Sequence, residues 1–209
     1  MSTPIHPVTF YQAAIRHSAR LDFVAPLLLR LYLAPVFWMA GWNKLNSFES
    51  TVNWIGNPDW GLGLPFPWLM AFFATATELA GAVMLALGLG VRLIVLPLMI
   101  TMLVAIFTVH VDYGWLAIAE GQGLFATERT VAAVEQLSRA KELLREHGDY
   151  ARLTAHGSLV MLNNGIEFAA TYLVMLVSLF FTGAGRLFSL DHWVGLILSR
   201  GASAAPHPT

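Results

Sequence analysis

The stretch PWLMAFFATATELAGAVMLALGLG, residues 67–90, decides the fold. It is apolar throughout, long enough to cross a bilayer, and carries Glu78 near its middle. A spanning helix needs about 20 apolar residues. An ionised carboxylate at mid-bilayer costs at least ~2.5 kcal/mol on insertion scales. Glu78 is therefore expected to be protonated, paired with a cation or turned towards a polar cavity. Each option requires other helices around it.

Composition supports a membrane setting. Of 209 residues, 56% are hydrophobic and only 12% are charged, where soluble domains carry about a quarter. A net charge of −1 argues against a nucleic-acid partner. The absence of cysteine excludes disulfides, thiol catalysis, cysteine-ligated iron–sulfur clusters and CxxCH haem attachment. No short apolar core precedes a small-residue cleavage site, so the first span is expected to direct insertion.

Working outward from residues 67–90, three more apolar runs read as spans, at residues 24–43, 92–110 and 163–183. The expected fold class is an all-α membrane protein. It is a four-transmembrane-helix bundle with both termini cytoplasmic and a hydrophilic helical insert, residues 111–162, between helices 3 and 4. Residues 24–191 form the membrane domain, flanked by tails at 1–23 and 192–209. The N-terminal tail can form a short interfacial helix from Thr9, and the final GASAAPHPT reads as disordered. Pro35 and Pro97 are expected to kink their spans. Residues 45–66 read as an aromatic loop with a turn at Asn57-Pro58-Asp59. Within the insert, residues 128–147 read as a helix, with Glu128 at its start and Gly148 just past its end. Orientation follows from Arg16, Arg20, Arg92 and Arg186 on one side, against Lys44 alone in the first loop.

Two groups of polar residues stand out. Counting ~1.5 Å per residue places Arg30 roughly 9 Å and Glu78 roughly 16 Å from the cytoplasmic side, so the two are expected to form a buried, proton-linked pair. Thr75, Glu78, Gly81 and Ala82 share one helix face. At the outer end, Lys44, His110, Asn163, Asn164 and Glu167, with Trp42 and Trp68, are candidates for holding a ligand. Each has a plainer reading. The pair can be purely structural, the tryptophans an interfacial belt, Lys44 a snorkelling side chain and His110 a hydrogen-bonded interfacial residue. No metal site is expected, because His110 and Asp112 lack the i,i+4 spacing of a helical metal motif. Haem b is disfavoured, because His110 is the single histidine in or at the end of a clear span. No phosphate-cradling loop, zincin pattern or nucleophile elbow is present.

The runs RLYLAPVFWMAGWNKL, ELAGAVMLALGLGVRLIVLPLMITMLVAIFTVH and GAGRLFSLD resemble the DoxX family of small bacterial membrane proteins. The pattern comprises Arg30, Gly41 and Lys44; Glu78, Gly81, Gly88 and Arg92; and Gly183, Gly185, Arg186, Ser189 and Asp191. The resemblance implies a four-helix bundle in the bacterial inner membrane, associated with quinone-linked sulfur oxidation, oxidative-stress complexes or peptide-modifying oxidases in metal stress. The chain departs from the pattern in its long insert and in Glu167, where many relatives carry lysine. The resulting expectation is an accessory subunit of a redox system, with a quinone as candidate cofactor. A redox partner would be reached through the 128–147 helix, and oligomers are allowed. Whether the chain is itself an enzyme stays open. The alternatives are a small-solute or metal-stress transporter component, or a non-catalytic assembly partner.

Overall fold

The computed structural model describes Tyr11 and residues 21–203, the side chains of residues 198–203 excepted. The expected N-terminal interfacial helix, Arg16 and Arg20, and the last six residues of the C-terminal tail lie outside the described residues. Among those described, all regular structure is helical apart from one isolated antiparallel bridge between Ile118 and Leu162. The helices are α1 (Val24–Asn46), α2 (Phe48–Gly56), α3 (Pro67–Leu87), α4 (Val91–Ala105), α5 (Glu128–His147), α6 (Tyr150–Leu153), α7 (Glu167–Thr182) and α8 (Leu190–Ser203). A π-helical turn (Ile106–His110) and a 3-10 turn (Val111–Tyr113) extend α4.

Among the described residues, three segments are long and apolar enough to cross a membrane: Val24–Asn46, Pro67–Leu87 and Val91–Tyr113. Their outward faces carry Leu28, Leu31, Phe73, Leu93 and Ile100, all exposed. A helix that is apolar on its exposed face as well as its buried one suits a lipid surround. Pro35 and Pro97 both lie inside continuous helices.

The fourth expected span is shorter than its sequence suggests. α7 has 16 residues, about 24 Å of rise, against a hydrocarbon core of about 30 Å. The four residues before it bond elsewhere. The N–H groups of Asn163 and Asn164 both donate to Ala117 O at 2.9 Å, and that of Gly165 donates to Leu116 O at 3.0 Å. Asn164 sits at φ 63, outside helical geometry.

The first loop also differs from expectation, because residues 48–56 form α2. The glycine and proline breakers of residues 45–66 all fall at or after Gly56, so nothing upstream opposes a helix. Asn57 then turns the chain, its Oδ1 accepting from Asp59 N at 2.8 Å and Trp60 N at 3.1 Å.

The chain forms two compact units, Met1–Met99 with Met175–Thr209, and Ile100–Val174. In the first, α1 packs antiparallel along α3, and α2 packs on α3 as well. The facing stripes are Arg30, Leu33, Phe37 and Gly41 on α1, and Thr75, Glu78, Ala82 and Leu85 on α3, all buried. α3 stops at Gly88, in the left-handed region at φ 65, with Leu89 N donating to Met84 O at 3.0 Å. In the second unit, α5 starts at a capping box, Thr127 and Thr130 each bonding the other's backbone N–H. Asn163 holds residues 113–116 from the opposite strand of chain, its Nδ2 donating to Tyr113 O at 2.7 Å and Leu116 O at 2.6 Å.

Candidate functional site

Glu78 lies 11 residues into α3 and is 3% exposed. Its partner is Lys44. The ammonium donates to both carboxylate oxygens at 2.8 Å, and the lysine side chain is 32% exposed. Two features of the backbone bring them together. Gly41 lets α1 and α3 approach closely: a Cβ there would lie 3.1 Å from Glu78 Cβ and 2.9 Å from Leu79 Cγ. Helical side chains also lean towards the helix N-terminus. Because the helices are antiparallel, Lys44 leans back along α1 towards the level of Gly41, while Glu78 leans along α3 to meet it.

The same geometry corrects the expected pairing of Arg30 with Glu78. Arg30 leans towards its own end of α1, away from Glu78. Its Nε donates to Leu85 O at 2.8 Å, its Nη2 to Phe188 O at 2.8 Å and Ala86 O at 3.3 Å, and its Nη1 to Ala184 O. Leu85 is seven residues beyond Glu78 on α3, roughly 10 Å along the axis. The guanidinium therefore bonds carbonyls in the last turn of α3, where Leu85 O also accepts from Gly88 N at 3.2 Å, and ties them to the turn before α8. Asp191 completes this clasp. Its carboxylate accepts from Gly90 N at 2.6 Å and Val91 N at 3.1 Å, capping α4. Ser189 Oγ donates to Gly185 O at 2.8 Å. Much of the sequence motif is thus a structural fastening at one end of the spans.

Thr75 occupies the buried face one turn before Glu78. It is 5% exposed, and its hydroxyl is buried without a hydrogen-bond partner among the described residues. Buried polar groups are nearly always bonded, so such an exception calls for an explanation. The sequence places Thr75 on the correct face but carries no signal that its hydroxyl is unpartnered.

The remaining candidates lie elsewhere. Trp42 stacks on Trp38 with ring centroids 5.8 Å apart, and both are exposed. Two residues of helix separate Trp42 from Lys44 by about 200°, so the structure does not bring Trp42 to the lysine. Trp68 stacks on Phe72 at 5.6 Å and is exposed as well. In the second unit, His110 Nδ1 lies 2.7 Å from Asn164 O, and a carbonyl can only accept, so this nitrogen carries the proton. Glu167 Oε2 accepts from Ala117 N at 2.9 Å. Asn163 Oδ1 accepts from Arg129 Nε at 3.1 Å, with the Arg129 guanidinium over the Tyr113 ring at 4.6 Å. The structure gathers His110, Asn163, Asn164 and Glu167 around the backbone of residues 113–117, where they fasten the insert. Among the described residues, no group of three or more His, Asp or Glu side chains is placed to hold a metal ion.

Comparison with known proteins places this geometry in a family context. The DoxX family model matches residues 25–111. That range takes in Arg30, Gly41, Lys44, Thr75 and Glu78, and leaves out Asp191 and most of the insert. A protein of Bacillus subtilis (strain 168) named "Putative oxidoreductase CatD" is 31% identical over 97 residues, covering 46% of this chain and 68% of that protein. No solved structure matches the chain.

Proposed function

The chain belongs to the DoxX family, and from that premise we propose that it is an accessory membrane subunit of a redox system whose Lys44–Glu78 pair binds and exchanges protons with a quinone-class ligand. The name of the Bacillus relative supplies the redox setting. In this reading α7 makes the fourth crossing of a bacterial inner membrane, both termini are cytoplasmic, and the insert lies outside. Electrons come from a partner protein of flavin or metal class, docked on the insert helix α5.

The unequal exposure of a doubly bonded pair carries this reading. Glu78 is closed in, while a third of the Lys44 side chain is open. An ammonium has three N–H donors, and two go to Glu78. The third can hold a ring carbonyl. The hydroxyl of Thr75, buried one turn before Glu78 and without a partner among the described residues, would supply a second donor to a polar head that reached it. A quinone-class ligand, once bound, supplies two-electron, two-proton carriage between partners. The chain's own part is to orient the carbonyl through Lys44 and to take or return a proton at Glu78.

The test is binding of a short-chain quinone to the protein in lipid discs, read by tryptophan quenching. Thr75→Val is the decisive variant, since it removes a hydroxyl that bonds none of the described residues. The reading requires about tenfold weaker binding with unfolding temperature unchanged or raised. Equal binding by Thr75→Val and Lys44→Gln removes the quinone-class ligand from this site.

A further inference from the structure

At the clasp end of the first unit, a cavity of about 490 Å³ opens between the start of α4 and the turn from α7 to α8. Arg92, Arg186 and His192 line it, with Gly183 between them. We propose that this cavity binds the phosphate of an anionic phospholipid headgroup, held between the guanidinium groups of Arg92 and Arg186. The site is independent of the Lys44–Glu78 pair. Gly88, which closes the clasp, is ten residues from Glu78 along α3, roughly 15 Å of rise.

Three observations lead there. First, neither arginine has a carboxylate partner: the ion pairs among the described residues are Lys44–Glu78 and His147–Glu146. Arg186 is exposed and makes no hydrogen bond with the described residues. Arg92 makes one, from Nη2 to Phe181 O at 3.1 Å, which leaves four of its five N–H donors open. A guanidinium matches the geometry of phosphate oxygens better than an ammonium does.

Second, the one acid in the lining, Asp191, has both oxygens engaged by Gly90 N and Val91 N. Its charge reduces that of the two arginines without cancelling it. Third, the site is held open by the fold. A Cβ on Gly183, at φ 74, would lie 3.2 Å from Arg92 Nε, so the glycine turn lets the guanidinium lie against the backbone.

The lipid, rather than a free anion, follows from what surrounds the charges. Leu93 lines the cavity and is exposed, and Phe181 and Leu187 beside it in sequence are exposed too. Arginines at the end of a span, bordered by bare apolar side chains, suit a headgroup whose acyl chains run down the helices.

The experiment uses the full chain, purified in detergent and stripped of lipid. Retention of added phosphatidylglycerol is counted by native mass spectrometry, and unfolding temperature is followed with phosphatidylglycerol, phosphatidylcholine or inorganic phosphate. The expected result is selective retention of phosphatidylglycerol with a rise in unfolding temperature. Arg186→Gln weakens that retention about tenfold, and Arg92→Gln/Arg186→Gln abolishes it. Arg186 makes no hydrogen bond with the described residues, so its single variant tests the site with the fold left intact. Retention by Arg186→Gln equal to the natural protein overturns the proposal, as does equal stabilisation by phosphatidylcholine. Equal stabilisation by inorganic phosphate alone makes the site one for free phosphate and overturns the lipid.

Discussion

Gly41 on α1 and Glu78 on α3 sit at one level, so close that a Cβ on the glycine would fall 3.1 Å from the Cβ of the glutamate. That approach sets the length of the Lys44–Glu78 bridge. Gly41→Ala must push on Leu79 Cγ at 2.9 Å, a branch point rather than the free end of a flexible chain. Overpacking of this kind costs about 1–3 kcal/mol. The variant is expected to unfold earlier in detergent, and Gly41→Leu to fail to accumulate. A Gly41→Ala protein as stable as the original would show that the helices are not in tight contact here.

Lys44 and Glu78 respond differently alone and together. Removing one partner of a buried ion pair strands the other and costs about 3–5 kcal/mol, while replacing both by apolar residues is often neutral. Lys44→Met is expected to lower the folded yield sharply, and Lys44→Met/Glu78→Met to restore it. Under the quinone-class reading the double variant folds yet binds no ligand. Restored binding together with restored folding would leave the pair a structural role alone.

Arg30 is expected to resist even a conservative change. Its fork reaches carbonyls of α3 and of the turn before α8 at once. A lysine has a shorter reach and three donors, and each buried carbonyl left bare costs about 1–3 kcal/mol. Arg30→Lys should therefore lose a large part of what Arg30→Met loses in unfolding temperature. Arg30→Met and Glu78→Met should be additive, since no contact joins the two residues. Mutual rescue would restore the Arg30–Glu78 pairing that helix counting suggests.

That pairing shows what the sequence can and cannot carry. The apolar length of residues 67–90, the buried face of Thr75, Glu78, Gly81 and Ala82, and the bounds of α5 at Glu128 and His147 are all legible, because period and capping residues encode them. The partner of Glu78 is not, because rise per residue gives the depth of a Cα and not the lean of a side chain. Lys44 reads as the end of a span, yet α1 runs on to Asn46 and α2 follows at Phe48. The lysine thus reaches Glu78 from within α1, with a third of its side chain still exposed. The π-helical turn at Ile106–His110 has no mark in the sequence. The unpartnered hydroxyl of Thr75 is invisible for another reason: a threonine on a buried helix face usually bonds a carbonyl four residues back, and only the structure shows that this one does not.

Asn163 makes the last test, on the second unit. Its Nδ2 donates to Tyr113 O and Leu116 O, and its Oδ1 accepts from Arg129, so one side chain joins the end of the α4 extension, the segment before α7 and α5. The residue is 3% exposed, and water cannot replace these bonds without entering the unit. Asn163→Asp keeps the size and the acceptor but gives up both donors. It leaves the carbonyls of Tyr113 and Leu116 facing a carboxylate, and should cost at least as much as Asn163→Ala, about 2–4 kcal/mol from two lost bonds to half-buried carbonyls. Limited proteolysis of the protein in lipid discs reads this directly. Both variants should be cut within residues 111–162 much faster than the original, while the first unit stays protected. Cleavage at the original rate would mean that α5 is held by its own packing, and that Asn163 is free to serve a ligand instead.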